Sequence, residues 1–162
     1  MAVAIAGEAP SVSGSVKDPQ GRPVVSAAVS LFSRTSSVSV ATTSDTQGAY
    51  RVFNGRGGLE LPDCLRAGCV GMIPAPECFD VQVACYEAFR AGRLDEAEAR
   101  YREMLPLVTF MMSSIDTFVC YGKRIVARRL GLGEVHDRAP AQRPTPFGLA
   151  TMERFLATLG PL

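Results

Sequence analysis

The feature that most limits what this chain can fold into is a change of composition near residue 52. Residues 11–52 are rich in Ser, Val and Thr, with Lys and Glu scarce and no helical period, which is the composition of strands. From Phe53 onward Ala, Arg, Glu, Leu and Met dominate and apolar residues recur at helical spacing, the pattern of amphipathic helices. Strands joined by hairpins leave no crossover helices, and strands joined by helices leave no hairpins. Two regions of different architecture are therefore expected within 162 residues.

In the first region Val12, Gly14 and Val16 lead into Asp18-Pro19-Gln20-Gly21. Pro sits where φ near −65° is wanted and Gly where positive φ is cheap, so a hairpin is expected there. Residues 25–32 read as a second strand and 38–43 as a third; Asp45-Thr46-Gln47-Gly48 is another turn before a fourth strand at 50–53. Four short strands with regularly spaced turns predict half of a β-sandwich.

In the second region, short apolar runs within residues 52–58 and 65–74, ended by turns and joined by a helical segment at 59–65, predict a βαβ unit. Residues 80–90 place Val81, Ala84, Cys85 and Ala88 on one helical face, and Gly92 supplies the residue that ends the helix. A second helix begins at Leu94-Asp95-Glu96, its acids where the dipole favours them. It carries Ala97, Tyr101, Met104, Leu105 and Val108 inward, and Pro106 is expected to kink it. A third helix, 115–130, stops at Gly131 and Gly133. A last one, 147–159, follows a Pro-rich link at 139–146 that is expected to be extended.

Charge and cysteine content narrow the functions. Seventeen Lys plus Arg against sixteen Asp plus Glu give a net charge of +1, so no overall field draws the chain to nucleic acid or an anionic membrane. Lys123, Arg124, Arg128 and Arg129 are spaced like the solvated side of a helix. Cys64, Cys69, Cys78, Cys85 and Cys120 contain no CxxC pair, and His136 is the sole histidine, so no metal site is expected. Free cysteines in apolar surroundings suit a reducing cytoplasm. No run approaches the ~20 apolar residues of a membrane span. The apolar run at 1–9 lacks a basic flank and is at most a signal-peptide remnant, in which case the location would be extracytoplasmic. A Ser or Cys hydrolase is not supported, since there is no nucleophile elbow and His136 lies in a Gly- and Pro-flanked loop.

Two resemblances follow. Val12-Ser-Gly-Ser-Val-Lys-Asp-Pro-Gln-Gly-Arg-Pro-Val, then Ala28-Val29-Ser30-Leu31 and Thr43-Ser-Asp-Thr-Gln-Gly-Ala-Tyr50, resemble the carboxypeptidase regulatory-like module, a small β-sandwich, without the further strands that close it. Gly55, Gly68-Cys69-Val70-Gly71, Ala91-Gly92-Arg93-Leu94-Asp95-Glu96-Ala97 and Leu105-Pro106-Leu107 together resemble the carboxyl-terminal part of the dihydrodipicolinate synthase and N-acetylneuraminate lyase family, over roughly 110 residues.

That second resemblance implies a (β/α)₈ barrel whose strands seven and eight are residues 52–54 and 70–74, with C-terminal helices after them. The expected organisation is residues 1–10 as a disordered or signal-peptide remnant and 11–52 as a partial β module. Residues 53–79 would carry barrel strands seven and eight, and 80–162 the helices. The fold class is mixed: a β-sandwich-like fragment, an incomplete barrel end and an α-helical tail. The resemblance also implies a class I aldolase acting on pyruvate without a cofactor, and places Gly55 and Ile73 against pyruvate. Taken alone, Gly55 reads as a turn residue and Ile73 as core.

The family's chemistry needs an unprotonated lysine amine to attack the pyruvate ketone; the protonated imine is then the electron sink. The resemblance puts that lysine on strand six and a proton-relay tyrosine on strand five, upstream of the matching residues. This chain has two lysines, Lys17 in a turn of the β region and Lys123 among three arginines. No catalytic residue is therefore expected, and pyruvate should bind weakly at most. Two strands cannot close a barrel of eight, and their open edges invite pairing with another chain. The junction near residues 50–53 joins two incomplete domains, as a fused reading frame would. Two other readings stand beside this one: a binding module acting through the β region, and a partner subunit that joins a full-length aldolase through helices such as 115–130.

Overall fold

The computed structural model describes residues 13–32 and 39–162. Residues 1–9, Val12 and Val38, which figure in the expectations above, lie outside them. The chain divides into two compact units, one of residues up to 55 with 60–73, the other of residues 56–59 with 74–162.

In the first unit, β1 (Ser13–Ser15) pairs antiparallel with β4 (Ala49–Arg51), Gly14 opposite Tyr50. β2 (Ala28–Phe32) pairs antiparallel with β3 (Ser39–Thr43), Val29 opposite Thr42. The expected hairpin after β1 is a small one, a single bridge between Lys17 and Pro23. β1 turns instead to the distant β4. The second strand also starts later than expected, because Ser26 adopts φ 55° and Val25 and Ser26 form a turn.

Both Asp-x-Gln-Gly segments fold in the same way. Asp18 Oδ1 accepts from the N–H groups of Gln20 (3.0 Å) and Arg22 (2.9 Å). Asp45 Oδ1 accepts from Gln47 (2.8 Å) and Ala49 (2.9 Å). In each case the Asp carbonyl accepts from the Gly three residues on, so the side chain supplies the local acceptor that makes Asp a turn residue. The buried Ser44 ties the ends of β2 and β3: its Oγ accepts from Ala27 N–H (2.9 Å) and donates to Val24 O (2.6 Å).

The βαβ unit closes the first unit. β5 (Phe53–Asn54) and β6 (Gly71–Met72) are parallel, Phe53 opposite Gly71 and Asn54 opposite Met72. Between them lies α1 (Leu61–Arg66), which packs on β5 and buries Leu61 and Leu65. Hydrogen bonds from Val70 N–H to Val52 O (2.9 Å) and from Ile73 N–H to Asn54 O (2.8 Å) extend the ladder at both ends. No closed barrel exists among the described residues; the three sheets have two strands each.

The second unit is helical: α2 (Phe79–Arg90), α3 (Leu94–Met111), α4 (Ile115–Arg129) and α5 (Pro146–Leu159). α3 is the hub, touching the other three. It buries Ala97, Met104, Leu107, Val108 and Met111, an i, i+3, i+4 stripe that passes through Pro106 without ending the helix. Tyr101 and Leu105, expected inside, flank that stripe half-exposed. Phe110 bridges α4 and α5, its ring 4.9 Å from Tyr121 and 6.1 Å from Phe155. On α2 the buried face is Gln82, Cys85 and Ala88. Val81 and Ala84 sit at its margin, because Gln82 turns inward to donate from Nε2 to Gly57 O (2.6 Å). The link before α5 contains a turn at residues 139–140 and is otherwise without regular structure.

Among the described residues no helix is long and apolar enough to cross a membrane. No group of three or more His, Cys, Asp or Glu side chains among them could hold a metal ion.

Candidate functional site

Parallel strands with a crossover helix present their carboxyl ends on one side, where substrates of such folds are bound. At that edge stand Asn54, Gly55 and Ile73. The Ile73 N–H to Asn54 O bond places Gly55 and Ile73 one step beyond the last paired residues, at neighbouring strand ends.

Gly55 is not among the residues with positive φ; the left-handed turn comes just after it, at Arg56 (φ 50°) and Gly57 (φ 61°). A Cβ on Gly55 would meet nothing within 4 Å, so neither backbone geometry nor packing within this chain calls for glycine there. Ile73 is 71% exposed and Phe53 41%. The reading of Ile73 as a core residue fails: among the described residues β6 pairs with β5 alone, and Ile73 follows it at an exposed strand end.

Asn54 is the polar residue at this edge that sequence reasoning passed over. It is 2% exposed, its Nδ2 donates to Cys64 Sγ (3.1 Å), and its Oδ1 is buried without a hydrogen-bond partner among the described residues. The available signal was an amide closing an otherwise apolar run, Val52-Phe53-Asn54, where burial demands satisfied hydrogen bonds.

Both lysines are distant in sequence from Asn54, Gly55 and Ile73. Lys17 is exposed in the small hairpin. Lys123 Nζ donates to His136 O (2.8 Å) and pairs with Asp137 Oδ1 (2.7 Å). A Schiff-base amine must be free to attack a carbonyl carbon, whereas this one is engaged by a backbone carbonyl and a carboxylate. Asp137 also receives both terminal nitrogens of Arg124. Those hydrogen bonds from Arg124, then from Lys123, keep its carboxyl far below the usual range.

The basic run of α4 is solvated only in part: Arg128 is exposed, Lys123 and Arg124 are intermediate, and Arg129 is buried. Lys123 and Arg124 close on Asp137, Arg128 pairs with Glu153 of α5 (2.8 Å), and Arg129 is buried against Asp80 of α2 (2.7 Å).

No family model matches the chain, and no curated protein matches it. Among solved structures it is similar to dihydrodipicolinate synthase from Rhodopseudomonas palustris, with a TM-score of 0.55 and 22% identity. The match covers 66% of this chain and 35% of that one, so the chain spans about a third of the length of the enzyme it resembles. At this identity the likeness is one of fold: mixed strands and helices, part of which follow the dihydrodipicolinate synthase pattern.

Proposed function

We propose that residues 53–162 are the strand-seven-to-C-terminus portion of a dihydrodipicolinate synthase-like pyruvate aldolase, and that this chain by itself does not catalyse the aldolase reaction. The observation that carries the reading is the pair of parallel strands β5 and β6 with their crossover helix, followed by four helices, in a chain similar in fold to that enzyme. In this reading Gly55 and Ile73 line what remains of a pyruvate subsite, and the open space beside Gly55 leaves room for a small ligand. Inactivity follows from the lysines: one lies in a β hairpin, and the other is committed to Asp137 and the His136 carbonyl.

We assign the first unit's antiparallel strands to a partial carboxypeptidase regulatory-like module, supported by its two matching Asp-x-Gln-Gly turns. The five free thiols favour the cytoplasm. No cofactor enters this reading.

The test is intact-mass analysis after incubation with pyruvate and borohydride, which reduces a Schiff base to a permanent lysine adduct, with a full-length family enzyme labelled in parallel. An unreacted mass is expected. An adduct on Lys123 or Lys17 would overturn the inactive reading.

A second reading, a partner subunit for a complete aldolase, is favoured by the apolar residues that α4 leaves exposed: Ile115 at 73% and Val119 at 46%, one turn apart. Mixing the chain with such an enzyme and weighing the complex by native mass spectrometry tests it, and two unshifted masses would sink it.

A further inference from the structure

The loop that closes the βαβ crossover carries two of the five thiols. α1 ends in Cys64-Leu65-Arg66-Ala67-Gly68-Cys69, where Gly68 at φ 98° turns the chain back. Gly68 N–H donates to Leu65 O (3.0 Å) and Cys69 N–H to Cys64 O (2.9 Å). In this type of helix ending the residues at those two outer positions bring their side chains together, usually as an apolar contact. Here both are cysteines.

Both thiols are half-buried, and each influences the titration of the other. Asn54 Nδ2, 3.1 Å from Cys64 Sγ, orients the first of them. With Cys69 N 2.9 Å from Cys64 O, ordinary backbone bond lengths cap the Cα to Cα separation at about 6.8 Å, the upper limit for a disulfide. Cys78, Cys85 and Cys120 are buried at 1% exposure or less.

We propose that Cys64 and Cys69 are a redox modification site, an intrachain dithiol that a low-molecular-weight disulfide such as glutathione disulfide oxidises to a disulfide. One protein thiolate attacks a sulfur of glutathione disulfide, forming a mixed disulfide and releasing one glutathione. The second attacks the protein-side sulfur, the Cys64–Cys69 bond forms, and the second glutathione leaves. The protein loses two hydrogens and is oxidised; the reagent gains them and is reduced to two thiols. Burial raises both thiols, Cys69 to about 11, so exchange is slow at neutral pH and quickens as the solution becomes alkaline. The bond would clamp the end of α1 to the start of β6. It does not depend on the aldolase reading.

The test incubates the full chain with glutathione disulfide at mildly alkaline pH, alkylates free thiols without unfolding, and maps tryptic peptides. Cleavage after Arg56, Arg66 and Arg90 puts Cys64 on peptide 57–66 and Cys69 on peptide 67–90. The expected product is a monomer lighter by two hydrogens in which these peptides are joined, fragmentation placing the bond at Cys69, and thiols that reappear on reduction. Cys64→Ser should stop at a single glutathione adduct on Cys69. An unchanged mass, separate stable glutathione adducts on Cys64 and Cys69, a bond to Cys78 or Cys85, or a disulfide-linked dimer would each overturn the proposal. The wild-type map decides even if the Ser variant does not fold.

Discussion

Arg129 ties three helices of the second unit together. Its side chain is 1% exposed, yet each guanidinium nitrogen has a partner. Nε donates to Gly160 O (2.9 Å), Nη1 to Glu77 O (2.9 Å) and Asp80 Oδ1 (2.8 Å), and Nη2 to Asp80 Oδ2 (2.7 Å) and Leu159 O. One cation thus fastens α4 to the start of α2 and the end of α5. A lysine could not span that fork. For Asp80, burial is the largest single influence and would raise its pKa, but the bonds and charge of Arg129 together prevail and lower it. Arg129→Met should cost about 3 kcal/mol, the low end for a broken buried pair because Asp80 keeps some solvent. Chemical denaturation checks this, and an unchanged midpoint would contradict it. The sequence showed Arg129 as one more charge in a basic run; its burial was invisible because Asp80 and Leu159 are distant in the chain.

Glu77 presents the opposite case. It is buried, its Oε2 has no partner among the described residues, and burial raises its carboxyl above the ordinary range. With the folded pKa above the unfolded one, protonation is favoured by folding. The contribution to stability is therefore complete below the usual carboxylate range and is lost as pH rises through the folded value. Glu77→Gln should raise the melting temperature at neutral pH and flatten its decline above the ordinary carboxylate range. A variant no more stable than the parent at neutral pH would refute this account of Glu77.

Helix ends follow from local chemistry, and most were legible. α1, α2 and α4 each end with a glycine in the left-handed region, Gly68, Gly92 and Gly131, followed by a residue bonded back to the helix. Ser114 caps α4 by accepting from Thr117 N–H (3.0 Å), and Thr145 caps α5 by accepting from Gly148 N–H (3.0 Å), with Pro146 in the first turn. Ser114→Ala should destabilise the fold by about 1 kcal/mol, the usual worth of a cap, measurable by thermal or urea unfolding.

Gly148 answers to tertiary structure instead. A Cβ there would fall 1.9 Å from Tyr121 Oη, the hydroxyl that accepts from Thr145 N–H (3.1 Å). Gly148→Ala should therefore cost about 1–3 kcal/mol as overpacking, despite alanine's better helix propensity. A stabilised variant would show that α5 can move away from α4. Periodicity identified the helix, but the ring pressing on it comes from another element.

At the scale of the molecule, the two units have different protection. In the second unit, four helices share the buried stripe of α3. In the first, β5 and β6 are two residues each, paired among the described residues only with one another, and Phe53 and Ile73 are exposed. Two-stranded sheets are marginal alone in water, so the amides of Val70 and Ile73 should exchange with solvent well before those of Met104 and Val108. Hydrogen exchange read by mass spectrometry checks the order; equal protection would mean that the strand pair is covered by something else, such as a second chain.

By itself the sequence determined the change from strands to helices, both Asp-x-Gln-Gly turns, the βαβ unit and the glycine ends of α2 and α4. Each is set by residues within a turn or two of one another, where backbone preference and side-chain acceptors act at short range. Tertiary structure alone decided that β1 pairs with β4, that Gln82 and Arg129 turn inward, that Lys123 closes on Asp137 and that Ile73 faces solvent. Those outcomes depend on which groups meet across long stretches of chain, and burial makes a charge or an amide acceptable only where a distant partner completes its hydrogen bonds.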